Sequence, residues 1–491
     1  MLSTQGKTLT SYMLSKISSG NRFLITSVLL FTFFSIGLKL FFANNHLTIA
    51  NNASTSLLVS AIFLAISMIS ALCIFLPRPL KSVLTTENIV NTVLLILLFA
   101  TLFNTTASAI VTFLFLVFTI SMAIVKKSKF SFHPLLGVMM AYYGFQLIGL
   151  LWTIDIDEGI KFIDKGLSFI IIPLGFSLLS ITSQQRDKVL LFFIRFLIVF
   201  LLMGMLGYLF QVYFHDLSFW VGFGTEKVYF PLSPELDTVY EQILVGSGYG
   251  HPAYTSLIFV TMIPVSFYLW SKEKSNKLKL SNTELFAFLF LSAIVIFIIK
   301  SRIGFLMYPF GLFLSVLFLL RKSKVLPYIL FSLIFLAVIA AIMIYKNRTD
   351  FSFMTDPIRE NIYSYVVNYI KAHPLTGTGT GSMRLELIPT VNQAVNAHNQ
   401  FIGELFHLGI GGLLIFIILM TRILHYGIIK RNYILLYFIL IFTFLMMTEM
   451  PLAIQKGVSA FTLFCCLFAR PDWEIEAGNY AEQINITPKK A

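Results

Sequence analysis

The residues best suited to chemistry lie between Arg359 and Gly409, in the longest polar interruption of an otherwise apolar chain. Arg359 opens a segment whose apolar residues recur at helical spacing, and the glycine-rich run Thr376–Ser382 follows it. His398 then stands directly before the next hydrophobic run. A guanidinium can hold an anion, and an imidazole can accept a proton from a hydroxyl near neutral pH. This stretch therefore predicts a site that binds an anionic substrate and moves a proton.

Other polar residues stand at the ends of hydrophobic runs. Lys300 and Arg302 separate two such runs, and ionisable residues at membrane depth are costly and usually functional. Both are predicted to bind an anion; the alternative is that they snorkel to lipid headgroups. His251 can line the outer cavity that holds the predicted site, or it can cap a helix. Glu449 can pair with an arginine of the site.

Each of the central features also has a structural alternative. His398, followed by Asn399, can cap the next helix, and Arg359 can pair with the adjacent Glu360. The glycine-rich run can offer backbone N–H groups to a pyrophosphate or can form a simple turn. It lacks the lysine of a nucleotide-binding P-loop, and its alternating glycines are Gly377, Gly379 and Gly381.

Two acidic residues, Asp155 and Asp157, have a spacing that can hold a divalent cation against a diphosphate. No supporting ligands accompany them, so a solvated acidic loop is the favoured interpretation. We predict neither a metal nor a cofactor.

Composition bounds the class of protein. The chain has 491 residues, of which 57% are hydrophobic and only 12% are charged, and its mean hydropathy is +0.83. A soluble protein would carry about 25% charged residues. We therefore expect an all-α polytopic membrane protein with about 12–14 transmembrane helices. The three cysteines lie in apolar runs and suggest neither disulfides nor a metal site.

The formal charge of +13 comes from short loops between the hydrophobic runs, which does not indicate a nucleic-acid partner. Every second loop is basic, and this pattern predicts that both termini are cytoplasmic.

The chain is predicted to have five parts. These are N-terminal helices with the outer loop 214–250 (1–250), helices with a Lys-Ser-Arg turn (251–345), an extracytoplasmic loop (346–397), C-terminal helices (398–469) and a cytoplasmic tail (470–491).

Three blocks in this order resemble the O-antigen ligase and polymerase superfamily of bacterial envelope membrane proteins. His398-Asn399 is followed by nine residues and then Gly409, as in the family's mark. Arg359 with Pro374 and the three alternating glycines looks like its second block, and Ser301-Arg302 looks like its third. The blocks cover roughly residues 295–412.

The resemblance implies a C-type glycosyltransferase architecture in the bacterial inner membrane, with a periplasmic active site. Such enzymes move a glycan from undecaprenyl diphosphate to a lipid or glycan acceptor, without metal in the ligases. By this resemblance His398 is the general base, while Arg302, Arg359 and Lys300 bind the diphosphate. Membrane lipids are the surrounding partner.

Two alternatives to a ligase stay open at this point. A polymerase of the same superfamily differs only in its acceptor. A lipid-linked glycan transporter is also polytopic, but its polar residues are expected near the membrane midplane, whereas here they gather at one predicted face.

Overall fold

The computed structural model describes residues 86–102, 105–127, 130–179, 181–214, 252–273, 278–299, 301–320, 357–381 and 397–469. Throughout these ranges the regular elements are helices, so the all-α prediction is confirmed. The α-helices are α1 Thr86–Ala100, α2 Thr105–Lys126, α3 Leu136–Ile148, α4 Ile156–Gly166, α5 Ser168–Leu178, α6 Ser183–Phe214, α7 Pro252–Trp270, α8 Asn282–Ile298, α9 Arg302–Leu320, α10 Pro357–Ala372, α11 Gln400–Ile429, α12 Tyr433–Met446 and α13 Gln455–Phe468.

The protein is a polytopic membrane protein. In the described part, four helical stretches are long and apolar enough to cross a membrane: Ser108–Lys126, Ala253–Trp270, Ile303–Leu320 and Gln400–Ile429. The hydrophobic runs of the sequence within these ranges coincide with helices. Three further hydrophobic runs, 23–43, 56–77 and 325–345, lie outside the described residues, as do the loop 214–250 beyond its first residue and the tail 470–491.

Helices α6 and α7 run in opposite directions, since the start of α6 contacts the end of α7, and contacts between helix termini define two ends of the bundle. At one end, which we call the basic end, α7 meets the start of α6 through a buried cluster. The Arg186 guanidinium donates to Asp187 at 3.0 and 2.8 Å, Lys272 also pairs with Asp187, and the Tyr268 hydroxyl donates to the same carboxylate at 3.0 Å. Two cations on one carboxylate leave this cluster positive. The cluster joins the start of α6 to the connection that follows α7.

The opposite end, which we call the site end, contains the starts of α7, α9, α11 and α13. Lys456, in the first turn of α13, donates to the Leu102 carbonyl just beyond α1 at 3.0 Å. Asn399, before α11, donates to the Met447 carbonyl after α12 at 3.0 Å. These contacts fix which helix termini surround the candidate site.

Asp155 and Asp157 were predicted to lie in a solvated acidic loop, and they instead lie at the start of the amphipathic helix α4. Asp155 caps this helix, because its carboxylate accepts the backbone N–H groups of Asp157 and Glu158 at 3.0 and 3.2 Å. The Asp155–Asp157 pair thus has a local structural role. Phe162 packs edge-on against His407, with 5.3 Å between ring centroids.

A small second core fastens the site elements together, apart from the main apolar core of the bundle. Ile362 and Val366 of α10 pack with Ala397, Phe406 and Met450. These residues belong to α10, the two sides of the His398 segment and the turn after α12. Burial of this cluster therefore holds three separate chain segments in one place.

Candidate functional site

His398 contacts a carboxylate at the site end. Its Nδ1 lies 3.3 Å from Glu449 Oε2, and the two side chains are 29% and 13% exposed. A carboxylate accepts hydrogen bonds, so this contact favours the tautomer with hydrogen on Nδ1 and the lone pair on Nε2. A histidine oriented in this way can act as a base on a group that approaches Nε2.

The backbone of His398 is held in a left-handed conformation, with φ of 47°. In the described ranges the other non-glycine residues with positive φ, Lys127 and Arg431, both lie just past the ends of helices. His398 instead precedes a helix. Strained backbone of this kind persists where the surroundings fix it, and it clusters at functional sites.

Asn399 explains how His398 is brought to Glu449. Its Oδ1 accepts the N–H of Ile402 at 3.1 Å and caps α11, while its Nδ2 donates to the Met447 carbonyl at 3.0 Å. One side chain therefore joins the start of α11 to the chain two residues before Glu449. The His-Asn order positions the imidazole as well as capping the helix.

Arg359 lies in the first turn of α10, and its side chain is outside the described residues. One helical turn later, the Tyr363 hydroxyl donates to the His398 carbonyl at 3.4 Å. Position 359 is therefore one turn of helix, about 6 Å along the axis, from a residue that contacts the histidine.

The glycine-rich run fills a break in α11. At Gly409 the backbone has φ of 61° and ψ of −158°, which interrupts the helix. The freed carbonyls of Phe406 and His407 accept the N–H groups of Thr378 and Gly379 at 2.9 and 2.8 Å. Beyond the break, the N–H of Ile410 donates to the Pro374 carbonyl at 2.9 Å. The turn thus replaces the hydrogen bonds that the helix loses.

These bonds decide between the two interpretations of the run. The N–H groups of Gly377, Thr378, Gly379 and Thr380 all donate to backbone carbonyls. They are committed to the fold, so the glycines support the site structurally. All three alternating glycines have φ between 62° and 84°, and a side chain at Gly377 would overlap the Phe406 carbonyl.

We expect Gly409→Ala to destabilise the protein more than an ordinary helix substitution. A left-handed alanine costs on the order of 1–3 kcal/mol, and its Cβ would also overlap the Leu375 carbonyl. Thermal unfolding of the purified variant would measure the loss. Gly144→Ala is the matched control, because a Cβ there meets nothing within 4 Å; equal unfolding temperatures for the two variants would contradict the assigned role of the break.

Arg302 is the first residue of α9, and its side chain is outside the described residues. The backbone of α9 lies close against α7, since a Cβ on Gly304 would approach Ser256 Oγ to 2.6 Å. On α7, Tyr254 is within electrostatic range of Glu449. Position 302 is therefore at the site end, beside the helix that reaches the His398–Glu449 pair.

A buried network beneath the pair was missed from the sequence. The Tyr142 hydroxyl and Gln400 Nε2 both donate to Glu404 Oε1, the latter at 2.7 Å. Gln400 Oε1 in turn accepts the N–H of Leu452 at 3.0 Å. This chain of bonds connects α3 to α11 and to the turn that contains Glu449. A carboxylate within a hydrophobic run was the available signal for Glu404.

Several predicted residues fall outside the described part. Nothing is described for Lys300 or His251, and the predicted pairing of Glu449 with an arginine of the site stays a prediction. The contact that is described for Glu449 is with His398.

Residues 287–417 match the family model described as O-antigen ligase. This segment is similar to the O-antigen ligase family. The resemblance predicted from the sequence is confirmed, and the matched segment holds positions 302 and 359, the glycine-rich turn, His398 and the break at Gly409. No curated protein matches the chain.

The matched segment does not contain the whole candidate site. Glu449, Tyr254 and Tyr142 lie outside 287–417, yet Glu449 contacts the histidine and Tyr142 supports its helix. The matched segment therefore contains His398, whereas its carboxylate partner comes from a later part of the chain.

Proposed function

We propose that this protein is an O-antigen ligase-like glycosyltransferase that moves a glycan from undecaprenyl diphosphate to an acceptor hydroxyl at the periplasmic face of the inner membrane. The observation that carries the proposal is the His398–Glu449 pair, located at the same end of the bundle as positions 302 and 359. A base beside two arginine positions suits transfer from a diphosphate.

In the proposed reaction His398 Nε2 removes the proton from the acceptor hydroxyl. The hydroxyl oxygen forms a bond to the anomeric carbon, and the bond from that carbon to the diphosphate oxygen breaks. The electron pair leaves with undecaprenyl diphosphate, whose growing charge Arg302 and Arg359 stabilise. The proton on the imidazolium then passes to solvent or to the departing phosphate.

Glu449 has a distinct part in this scheme. Its carboxylate holds the Nδ1 hydrogen and stabilises the imidazolium that forms when Nε2 is protonated. The left-handed backbone at His398 and the Asn399 bridge fix the same orientation from the other side.

Transfer by the purified protein in lipid vesicles is the direct test. With an undecaprenyl-diphosphate-linked glycan and a lipid A–core acceptor, we expect a new glycosidic bond for each undecaprenyl diphosphate released. Elongation of one lipid-linked glycan by another would assign the polymerase alternative. Movement of the intact donor across the vesicle membrane without bond formation would overturn the proposal.

Glu449→Gln should lower the turnover number with little change in donor affinity. The neutral amide can still accept from Nδ1, but it gives the imidazolium no charge partner. We expect a loss of about 10- to 100-fold, as when the carboxylate partner of a metal-bound histidine is removed. Steady-state transfer rates would measure it, with Glu87→Gln, a 55% exposed carboxylate at the basic end, as the control. Equal turnover in the two variants would remove Glu449 from the scheme.

A further inference from the structure

Helix α4 is too short to cross a membrane. It has 11 residues, which at 1.5 Å per residue give a length of about 16 Å, against a hydrocarbon core of about 30 Å. The helix nevertheless connects two apolar helices, α3 and α5, at the site end. Its placement therefore needs an explanation other than a transmembrane span.

The surface of α4 is divided into three faces. Successive residues are about 100° apart around a helix, and the face that packs on the protein contains Gly159, Phe162, Ile163 and Gly166. A second, exposed face is apolar and contains Ile156, Ile160 and Leu167, which are 51%, 55% and 39% exposed. A third, also exposed, is charged and contains Asp157, Lys161 and Asp164.

Exposed apolar side chains also lie on segments next to α4, and together with those of α4 we call them the apolar band. Leu151 and Ile154, which precede the helix, are 84% and 56% exposed. Leu375, in the turn that fills the break of α11, is 73% exposed. From there the exposed side of the membrane-spanning α11 begins with Ile410 and Leu414. Backbone hydrogen bonds join these segments, from the Ile154 N–H to the Thr378 carbonyl and from the Ile410 N–H to the Pro374 carbonyl.

Trp152 lies in the chain between Leu151 and Ile154, two exposed residues of the apolar band. Its indole Nε1 donates to the Thr376 carbonyl at 2.8 Å, while the ring is only partly buried. Tryptophan is enriched at the boundary between lipid and water. A helix with one apolar and one charged exposed side has the pattern of a segment that lies in that boundary.

We infer that α4 lies flat in the lipid–water interface at the site end. Ile156, Ile160 and Leu167 contact the acyl chains, and Asp157, Lys161 and Asp164 face water. The partner of this surface is the lipid leaflet itself. Since Thr153 Oγ1 donates to the Thr380 carbonyl at 2.8 Å, the interfacial segment is joined to the turn that fills the break of α11.

One consequence rests on the proposed function. The boundary at α4 sets the depth of the site end near that of the lipid headgroups, where the diphosphate of a membrane-anchored donor lies. The inference about α4 requires only a membrane, so its test is independent of glycan transfer.

The test uses the full chain in vesicles of phosphatidylethanolamine and phosphatidylglycerol. Ile160→Cys and Asp157→Cys variants, each with a nitroxide label, would be compared by their collision rates with oxygen, which concentrates in lipid, and with a water-soluble nickel chelate. We expect oxygen to dominate at 160 and the nickel chelate to dominate at 157. Of the three native cysteines, Cys465 and Cys466 are buried and Cys73 lies outside the described residues, so an unmutated chain labelled in parallel corrects for background.

Leu151→Cys is a second probe on the apolar band, and because the Leu151 side chain is 84% exposed, the substitution removes little packing. It should match position 160. Water-dominated collisions at both 151 and 160 would overturn the inference, and so would oxygen-dominated collisions at 157, which would place α4 inside the hydrocarbon core. Loss of glycan transfer in any labelled variant has no bearing on either result.

Discussion

Replacing His398 with alanine should abolish glycan transfer while the protein still inserts in the membrane and still binds the lipid diphosphate. Removal of a general base lowers a rate by about 10²- to 10⁴-fold. Binding should survive because the proposed diphosphate ligands, Arg302 and Arg359, are untouched. The measurements are transfer rate and donor affinity in vesicles, made on the same preparations.

The backbone at His398 calls for a second variant. At φ of 47° an alanine is strained, so a folding defect could imitate loss of the base. Asparagine tolerates left-handed backbone well and has no basic nitrogen, so His398→Asn should lose transfer to the same extent with a normal unfolding temperature. His425→Ala, an exposed histidine near the other end of α11, is the matched control. Substantial transfer by His398→Asn would remove the base assignment.

The sequence predicted the apolar helices of the fold, because these helices are visible as hydrophobic runs. Runs of apolar residues identify helices such as α9 and α11 because each span must satisfy its own backbone in lipid. His398 was singled out by residue type and spacing, and the match over 287–417 confirms the family resemblance of the segment that contains it. These signals are local in the chain.

The partner of His398 required the fold. Glu449 is 51 residues away, and no sequence spacing relates the two; the contact arises because Asn399 joins the start of α11 to the chain after α12. The break at Gly409 was equally hidden, since apolar residues continue on both sides of it. Only the coordinates show that the turn at residues 374–380 supplies the missing hydrogen bonds.

Helix α4 shows a different limit of sequence interpretation. Its acidic residues suggested a solvated loop, and the apolar residues between them were too few to indicate a span. One amphipathic helix accounts for both observations. Its apolar and polar residues separate onto different sides only when the 11 residues are arranged as a helix.

Arg302→Lys should reduce transfer far more than the retained charge suggests. A guanidinium can donate two parallel hydrogen bonds to phosphate oxygens, whereas an ammonium acts as a point charge. Position 302 begins α9 beside α7, which reaches Glu449. Loss of the two parallel hydrogen bonds therefore weakens the stabilisation of charge on the leaving diphosphate. We expect a loss of about 10²- to 10³-fold in turnover, comparable to removal of one donor from an oxyanion hole.

Geometry and charge can be separated by three variants in the same transfer assay. Arg302→Met removes both and should be at least as inactive as Arg302→Lys, while Arg422→Lys, an exposed position near the basic end of α11, should transfer normally. If the arginine only snorkels to headgroups, a lysine satisfies the same need and Arg302→Lys keeps near-normal turnover. That result would leave His398 and Glu449 as the proposed proton-transfer pair. The diphosphate would then be assigned to other cations at the site end. Arg359 would be the first candidate, because it lies one helical turn from Tyr363.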